Sequence, residues 1–381
     1  MAKFEAKLQV IVAITVLALA SCAGSHPTRS NPLNTADWTT HCFGRFLIDL
    51  PRDAQVSQSY ELRRTPIKPV QGMAVADIAS TLAARAEELK ATPHRTQGRM
   101  FIRSAIFDGG GGGVLSWSLP YSIAAMRLEA YLIAQGSSVV YAHNPRVAPD
   151  MQETAVRLVG ELGRNLHSLA SGELPPNGRQ VFCIDGAYVQ GNEFRSESMN
   201  ITVRLTEHPG MVFTLFSTTQ GELEPTLLKR MDGDGVGKLL SMFSGMDVLR
   251  KGQRDVNGLD AEEHLVAASE KGLRGYAFNW EAQGRAQSVA APLLSADLAV
   301  MPSGADAPPA FTSDAEALKL WDALINSIRP LPGSRDAPPP APREPPLSSE
   351  SFEQREFNRQ AMDHFIATGQ WLTPPKENGQ L

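Results

Sequence analysis

Three regimes of apolar and polar patterning follow one another along the 381 residues. Residues 8–20 are apolar except for Gln9 and Thr15, and Lys3 and Lys7 lie just ahead of them. From about 37 to 333, apolar positions recur at the two-residue spacing of strands or the three-to-four-residue spacing of helices. Past Pro330 the periodicity stops, and residues 337–346 are mostly proline, a stiff extended spacer. The stretch 349–372 carries Phe352, Phe357, Met362, Phe365 and Trp371 among polar residues. It reads as a disordered tail, with a short docking helix as the alternative.

The first periodic block opens on His41-Cys42-Phe43-Gly44-Arg45-Phe46-Leu47-Ile48-Asp49-Leu50-Pro51. Its middle reads as a strand that Pro51 stops. Residues 74–89 have helical spacing. Strand-like runs at 100–107 and 114–119 are joined by Asp108 and five glycines, Gly109 to Gly113, expected to form a mobile hairpin loop. Runs at 126–134 and 138–143, parted by Gln135-Gly136-Ser137, predict a second hairpin. An amphipathic helix over 149–166 closes the block, with Val156, Leu158, Val159, Leu162 and Leu166 available to one face.

A linker at 171–179 contains Pro175-Pro176. The second block again begins with a cysteine-bearing strand, 180–189, followed by strands at 199–205 and 211–217. A helix is expected over 222–243, although Pro225 must lie in its first turn and the glycines near 233 weaken it. Strands are expected at 247–254, 261–268, 275–281 and 296–301. The closing helix spans 313–329, with Ser313 as N-cap and Glu316 as its capping-box partner.

The two blocks read as one plan used twice. Ala130-Tyr131-Leu132-Ile133-Ala134-Gln135-Gly136 echoes Phe278-Asn279-Trp280-Glu281-Ala282-Gln283-Gly284, and Ala155-Val156-Arg157-Leu158-Val159 echoes Ala317-Leu318-Lys319-Leu320-Trp321. The order of elements predicts an α+β class: two similar domains, each an antiparallel sheet with helices packed on it, related by internal duplication. The expected organisation is 1–21 signal segment, 22–36 flexible tether, 37–170 first domain, 171–179 linker, 180–333 second domain, and 334–381 tail.

The apolar run 8–20 is too short to span a bilayer comfortably as a finished helix but suits the core of an export signal. It ends in Leu19-Ala20-Ser21-Cys22, which resembles the bacterial lipobox. The resemblance implies cleavage before Cys22 and lipidation of its thiol. Ala23 stands where an Asp would signal inner-membrane retention, so the expected location is periplasmic, lipid-anchored to the outer membrane. Residues 23–36, rich in Ser, Pro, Asn and Thr, suit a tether.

Export changes the reading of the other two cysteines. Cys42 and Cys183 then lie in an oxidising compartment where disulfides persist. A bridge between them is expected, two separately buried thiols being the alternative. A formal net charge of −5 gives no sign of nucleic-acid binding.

Catalytic patterns are missing. There is no Gly-x-Ser-x-Gly elbow, and the eight histidines are scattered with no His-Glu-x-x-His pair. His143 and His208 read as solvated. Asp232-Gly233-Asp234-Gly235-Val236-Gly237-Lys238 is one residue short of a phosphate loop, and Leu239 replaces the Ser or Thr that would hold magnesium. As a calcium loop it lacks a third oxygen ligand at Val236 and a closing glutamate. Asp49 and Asp185 have no evident carboxylate or histidine companion. No catalytic, cofactor or metal residue is assigned, and the chain is not read as an enzyme.

Cys42-Phe43-Gly44-Arg45-Phe46-Leu47-Ile48-Asp49-Leu50-Pro51 and Phe182-Cys183-Ile184-Asp185-Gly186 resemble motifs of the lipoprotein immunity proteins that neutralise type VI secretion lipase effectors of the fourth class. The likeness covers about residues 37–333. It implies a non-catalytic protein that binds a cognate phospholipase effector, without carrying over any contact position. Trp117, Tyr121, Tyr188 and Phe194 are candidate exposed aromatic anchors, a core position being the alternative for each. Two other readings stand beside it: a structural or assembly lipoprotein of the envelope, and a hydrolase acting on envelope lipids.

Overall fold

The computed structural model describes residues 33–178, 180–191, 196–232, 246–270, 273–300 and 308–333. The signal segment, Cys22, Phe194, residues 233–245 and the tail lie outside the described residues.

In chain order the first strands are β1 (Thr39–Phe43), β2 (Phe46–Leu50), β3 (Gln55–Leu62) and β4 (Thr65–Pro69), followed by helix α1 (Asp77–Ala91). Next come β5 (Pro93–His94), β6 (Gly98–Arg99), β7 (Phe101–Ile106), β8 (Gly111–Leu119), β9 (Ser122–Ile133), β10 (Val140–His143) and β11 (Arg146–Val147). Helix α2 (Gln152–Arg164) and β12 (Leu166–Ser168) follow. The later part holds β13 (Val181–Ile184), β14 (Ala187–Gln190), β15 (Glu197–Arg204), β16 (Met211–Thr218) and α3 (Leu227–Asp232). It ends with β17 (Met246–Gln253), β18 (Glu262–Glu270), β19 (Leu273–Ala282), β20 (Leu293–Val300), α4 (Asp314–Ser327) and β21 (Arg329–Pro330).

Two compact units result: one break, at Ser168/Leu169, falls beside the expected linker, and a second, at Leu62/Arg63, is not expected. One unit takes residues up to Leu62 together with those from Leu169 on, and the other is Arg63–Ser168. The reason is backbone pairing. Strand β3 runs antiparallel to β15 from Gln55 opposite Arg204 to Leu62 opposite Glu197. No strand is expected at β3 or β4 from the sequence, because β3 is mostly polar and buries only Tyr60 and Leu62.

In the first unit the sheet runs in the order β3-β15-β16-β20-β19-β18-β17. Helix α4 covers it with Ala317, Leu320, Trp321, Leu324 and Ile325. The Trp321 ring lies 6.3 Å from Phe213 and 5.7 Å from Phe278, both edge-on. Ser313 caps the helix by accepting from the Glu316 amide, while the Glu316 carboxylate accepts from the amide of Thr312, one residue earlier than the capping box predicts.

Each cysteine segment is a hairpin, where the sequence suggests one strand. β1 turns into β2 at Gly44 and β13 into β14 at Gly186, both with positive φ. Gly44 is needed for a second reason: a Cβ there would lie 2.8 Å from Met199 Sδ and 3.2 Å from the Phe182 ring. The Gly44 amide donates to the Cys183 carbonyl and the Cys183 amide to the Gly44 carbonyl, at 3.0 and 2.7 Å. Beside this pairing Cys42 and Cys183 form a disulfide, packed with Leu47, Val181, Tyr188 and Leu331.

Two ion pairs tie the hairpin down. Arg45, the residue after Gly44, is buried and holds Glu197 of β15 through both carboxylate oxygens at 2.6 Å. Asp49 of β2 accepts from Arg329 of β21 at 2.9 Å and from the Thr40 hydroxyl at 2.6 Å. Strand β21 thereby joins β2 as a third strand.

The second unit has the sheet order β4-β10-β9-β8-β7, with β11 also on β9. Helix α1 packs Leu82, Ala86 and Leu89 against Met100 and Val114. The glycine run is a packing device and not a loosely hung loop: Gly111 to Gly113 lie within β8. Side chains there would meet backbone, since a Cβ would sit 2.8 Å from the Ala105 carbonyl at Gly112 and 2.9 Å from the Glu129 carbonyl at Gly113.

The same connectivity occurs twice. A cysteine hairpin, a strand pair, a helix, a four-strand meander and a closing helix appear in each half. The order β4-β10-β9-β8-β7 corresponds to β16-β20-β19-β18-β17. Both outermost strands carry a register shift, at Phe101/Arg103 and at Val248/Arg250, which twists an edge away from further pairing. The closing helices bury Ala155, Leu158, Val159 and Leu162 in one case and Ala317, Leu320, Trp321 and Leu324 in the other.

His143 of β10 is buried, contrary to its reading as solvated, and its Nδ1 lies 3.3 Å from the Pro66 carbonyl. Burial lowers its pKa to about 4, against an ordinary value of 6.5. The unfolded chain therefore takes up a proton that the fold excludes. Stability through this residue is complete above pH 6.5 and declines as pH falls toward 4. His143→Gln, which keeps a donor for Pro66, is expected to remove about 2 kcal/mol of the stability difference between pH 7 and pH 5. Urea midpoints of both proteins at the two pH values check this, and equal pH slopes would refute it.

The disulfide closes a sequence separation of 141 residues. Cys42→Ser is expected to lower unfolding free energy by roughly 3–5 kcal/mol in the chain-entropy picture, visible as a lower Tm. An unchanged Tm, with the wild type insensitive to reductant, would count against that contribution.

Candidate interaction surfaces

Charged side chains that sit together in the first unit are occupied with one another. Asp322 of α4 receives Arg250 at 2.5 Å and Arg254 at 2.6 Å, and Arg254 also lies 3.4 Å from buried Glu263. The Trp280 indole donates to the Arg254 carbonyl at 3.0 Å. This network fixes α4 over β17, β18 and β19. Burial raises the Asp49 pKa, but hydrogen bonds from Arg329 and Thr40 outweigh it and hold the carboxyl below the usual range. Asp185 stands in the β13–β14 turn. His208, read as solvated, is buried: its Nδ1 lies 2.8 Å from the Ala310 carbonyl and its ring 4.7 Å from Phe311.

A cleft of about 560 Å³ opens in this unit between Phe46, Pro330, Gln253, Glu262, Glu281 and Arg285. Both of its glutamates already have partners. Glu262 accepts from the Leu228 amide and from Gln253, and Glu281 pairs with Arg230 at 2.6 Å. Among the described residues no group of three or more His, Cys, Asp or Glu is placed to hold a metal.

The candidate aromatic anchors separate cleanly. Tyr188 is buried against the disulfide and is a core residue. Trp117 is half-buried, its ring 5.5 Å from His94 and its side chain packed on the α1 cluster. Phe194 lies outside the described residues. Tyr121 is 52% exposed.

Tyr121 stands at the end of the β8–β9 hairpin, where Leu119 is 41% and Ile123 53% exposed. The β5–β6 loop braces this tip: the Arg95 amide donates to the Pro120 carbonyl at 2.8 Å, and His94 Nε2 lies 3.2 Å from the Ser122 carbonyl. His94 Nδ1 in turn accepts from the amides of Thr96 and Gln97. Sequence reading leaves this tip out, ending one run at 119 and starting the next at 126. The available signal is Leu119-Pro120-Tyr121-Ser122-Ile123, a turn dipeptide with apolar residues on both sides.

Comparison with known proteins sets these surfaces in context. Residues 39–162 match the family Tle cognate immunity protein 4, N-terminal domain, and residues 179–333 match its C-terminal domain. A solved structure of the immunity protein TplEi of the type VI secretion system from Pseudomonas aeruginosa, in its apo form, is 41% identical. The match covers 77% of this chain and 97% of that one, with a TM-score of 0.73. TplEi complexed with an "L" peptide is 40% identical, covering 78% and 100%, at TM-score 0.70. The crystal structure of a Tle4-Tli4 complex gives 40% identity, 79% and 99% coverage, and TM-score 0.74. No curated protein matches the chain. With both of its halves matched in order, the chain belongs to the Tle cognate immunity protein 4 family.

Proposed function

We propose that this protein is a type VI immunity protein that binds and inhibits a cognate lipase effector, acting outside the cytoplasm from a lipid anchor at Cys22. The observation that carries the reading is the match of both domains to one immunity family, together with 40% identity to a chain solved in the Tle4-Tli4 complex. Inhibition is by contact: the bound protein occludes the effector's active site or blocks the opening of its lid. It performs no chemistry of its own.

The stability of the fold supports such a role. A protein that inhibits by shape must hold its surface ready, since every side chain ordered on binding costs affinity. Here the ion pairs of β2, β15 and α4 and the Cys42–Cys183 bridge keep long charged side chains in place before any partner arrives.

The chain from Ala23 to Leu381 is expected to capture the lipase encoded beside it in a pull-down and to abolish its phospholipase activity. No complex at micromolar concentration, with the lipase fully active, would sink the immunity reading in favour of an envelope-assembly role. For the anchor, Cys22→Ser is expected to abolish incorporation of labelled fatty acid. It should also leave the signal segment attached, giving a heavier intact mass. Unchanged labelling and mass would remove the lipobox reading while leaving effector binding intact.

A further inference from the structure

We infer that the tip of the β8–β9 hairpin, with the β5–β6 loop braced against it, is a docking surface for an anionic lipid bilayer. The tip presents Leu119, Pro120, Tyr121, Ile123 and Ala124 to solvent within six residues. Exposed large apolar side chains are ordinarily scattered singly. Here three of them, Leu119, Tyr121 and Ile123, fall within five residues at one hairpin end.

The two segments that form the tip and its brace carry basic residues and no acidic ones. Residues 92–104 and 117–128 contain Arg95, Arg99, Arg103 and Arg127 and no Asp or Glu. Arg103 is taken up by Glu153 at 3.0 Å. Arg95, Arg99 and Arg127 are exposed. Arg99 lies over the Phe101 ring at 5.9 Å, and so does Lys90 at 5.1 Å, its ammonium also paired with Glu87 at 2.7 Å. The acidic Asp108 lies at the opposite end of β8. This local excess of arginine contrasts with a chain whose formal net charge is −5.

Apolar residues with a tyrosine at the turn, surrounded by arginines, are the chemistry of a bilayer interface. Aliphatic groups enter the acyl boundary, the tyrosine sits at headgroup depth, and the guanidinium groups meet lipid phosphates. A protein partner fits less well, because a five-residue tip falls far short of the roughly 800 Å² per side of a stable interface. The bracing matters for the same purpose. The Arg95 amide on the Pro120 carbonyl and the His94 ring on the Ser122 carbonyl hold the tip to the loop that carries its cations, so little ordering is left for the moment of contact.

The test uses the chain from Ala23 to Leu381, without its lipid, so that it is independent of the anchor. Co-sedimentation with vesicles of phosphatidylglycerol and phosphatidylethanolamine is expected at 50 mM salt. Binding should be much weaker at 500 mM salt and lost on phosphatidylcholine vesicles. Arg95→Gln with Arg99→Gln, and separately Tyr121→Ser with Ile123→Ser, should each reduce the partition coefficient roughly tenfold or more. All four positions are exposed, so melting curves should be unchanged, and the arginine double variant should retain capture of the lipase effector. Binding that ignores lipid charge, or that survives both double variants, overturns the proposal. If no vesicle is bound and the variants lose effector capture instead, the tip belongs to the effector contact.

Discussion

Everything in the larger unit hangs on the pairing of two hairpins that lie far apart in the chain. The Gly44 and Cys183 backbones exchange hydrogen bonds, and the Cys42–Cys183 disulfide sits alongside. Gly44 is there because a side chain would strike Met199 and Phe182 and because its φ is positive. Its neighbour Arg45 can then turn inward to Glu197 at the start of β15. An unpartnered charge in that position would be strongly destabilising, on the order of 3–5 kcal/mol. Hairpin, bridge and ion pair are therefore one arrangement and not three separate supports. Asp49 and Arg329 extend it to β21, 280 residues on in the chain and paired with β2.

That arrangement also explains why the compact units do not follow the repeats. Each half of the sequence contains the material for a complete sheet with its helices. The first three strands nonetheless fold with the second half, because β3 pairs with β15, its counterpart, along its whole length. Two equivalent edge strands satisfy each other's backbone groups, which removes two exposed edges at once. The edges that stay free, β7 and β17, both carry a bulge.

Several carboxylates and histidines among the described residues are committed to arginines, amides and carbonyls. Asp49, Glu262, Glu281 and Asp322 each have partners, and His94, His143 and His208 are buried against backbone groups. A family whose relatives include a chain solved in a Tle4-Tli4 complex fits this distribution. The exposed features worth a partner are elsewhere, at the braced tip of β8 and β9.

What the sequence by itself determined was local and periodic. Alternating runs located most strands, 3.6-residue spacing located α1, α2 and α4, and Ser313 marked a helix start that the structure shows. The echoed segments around Gln135-Gly136 and Gln283-Gly284 disclosed the repeat, and both glycines have positive φ. The polar strand β3 was not legible, because its stability comes from β15 and not from an apolar face of its own. The hairpins inside the cysteine segments do carry a local signal, the dipeptides Gly44-Arg45 and Asp185-Gly186 between apolar residues. His143 and His208 looked solvated because their partners, the carbonyls of Pro66 and Ala310, are 77 and 102 residues away. Periodicity is carried by consecutive residues and can be read from them. Pairing between distant segments depends on which backbone groups the folded chain leaves unsatisfied, and only the tertiary structure decides that.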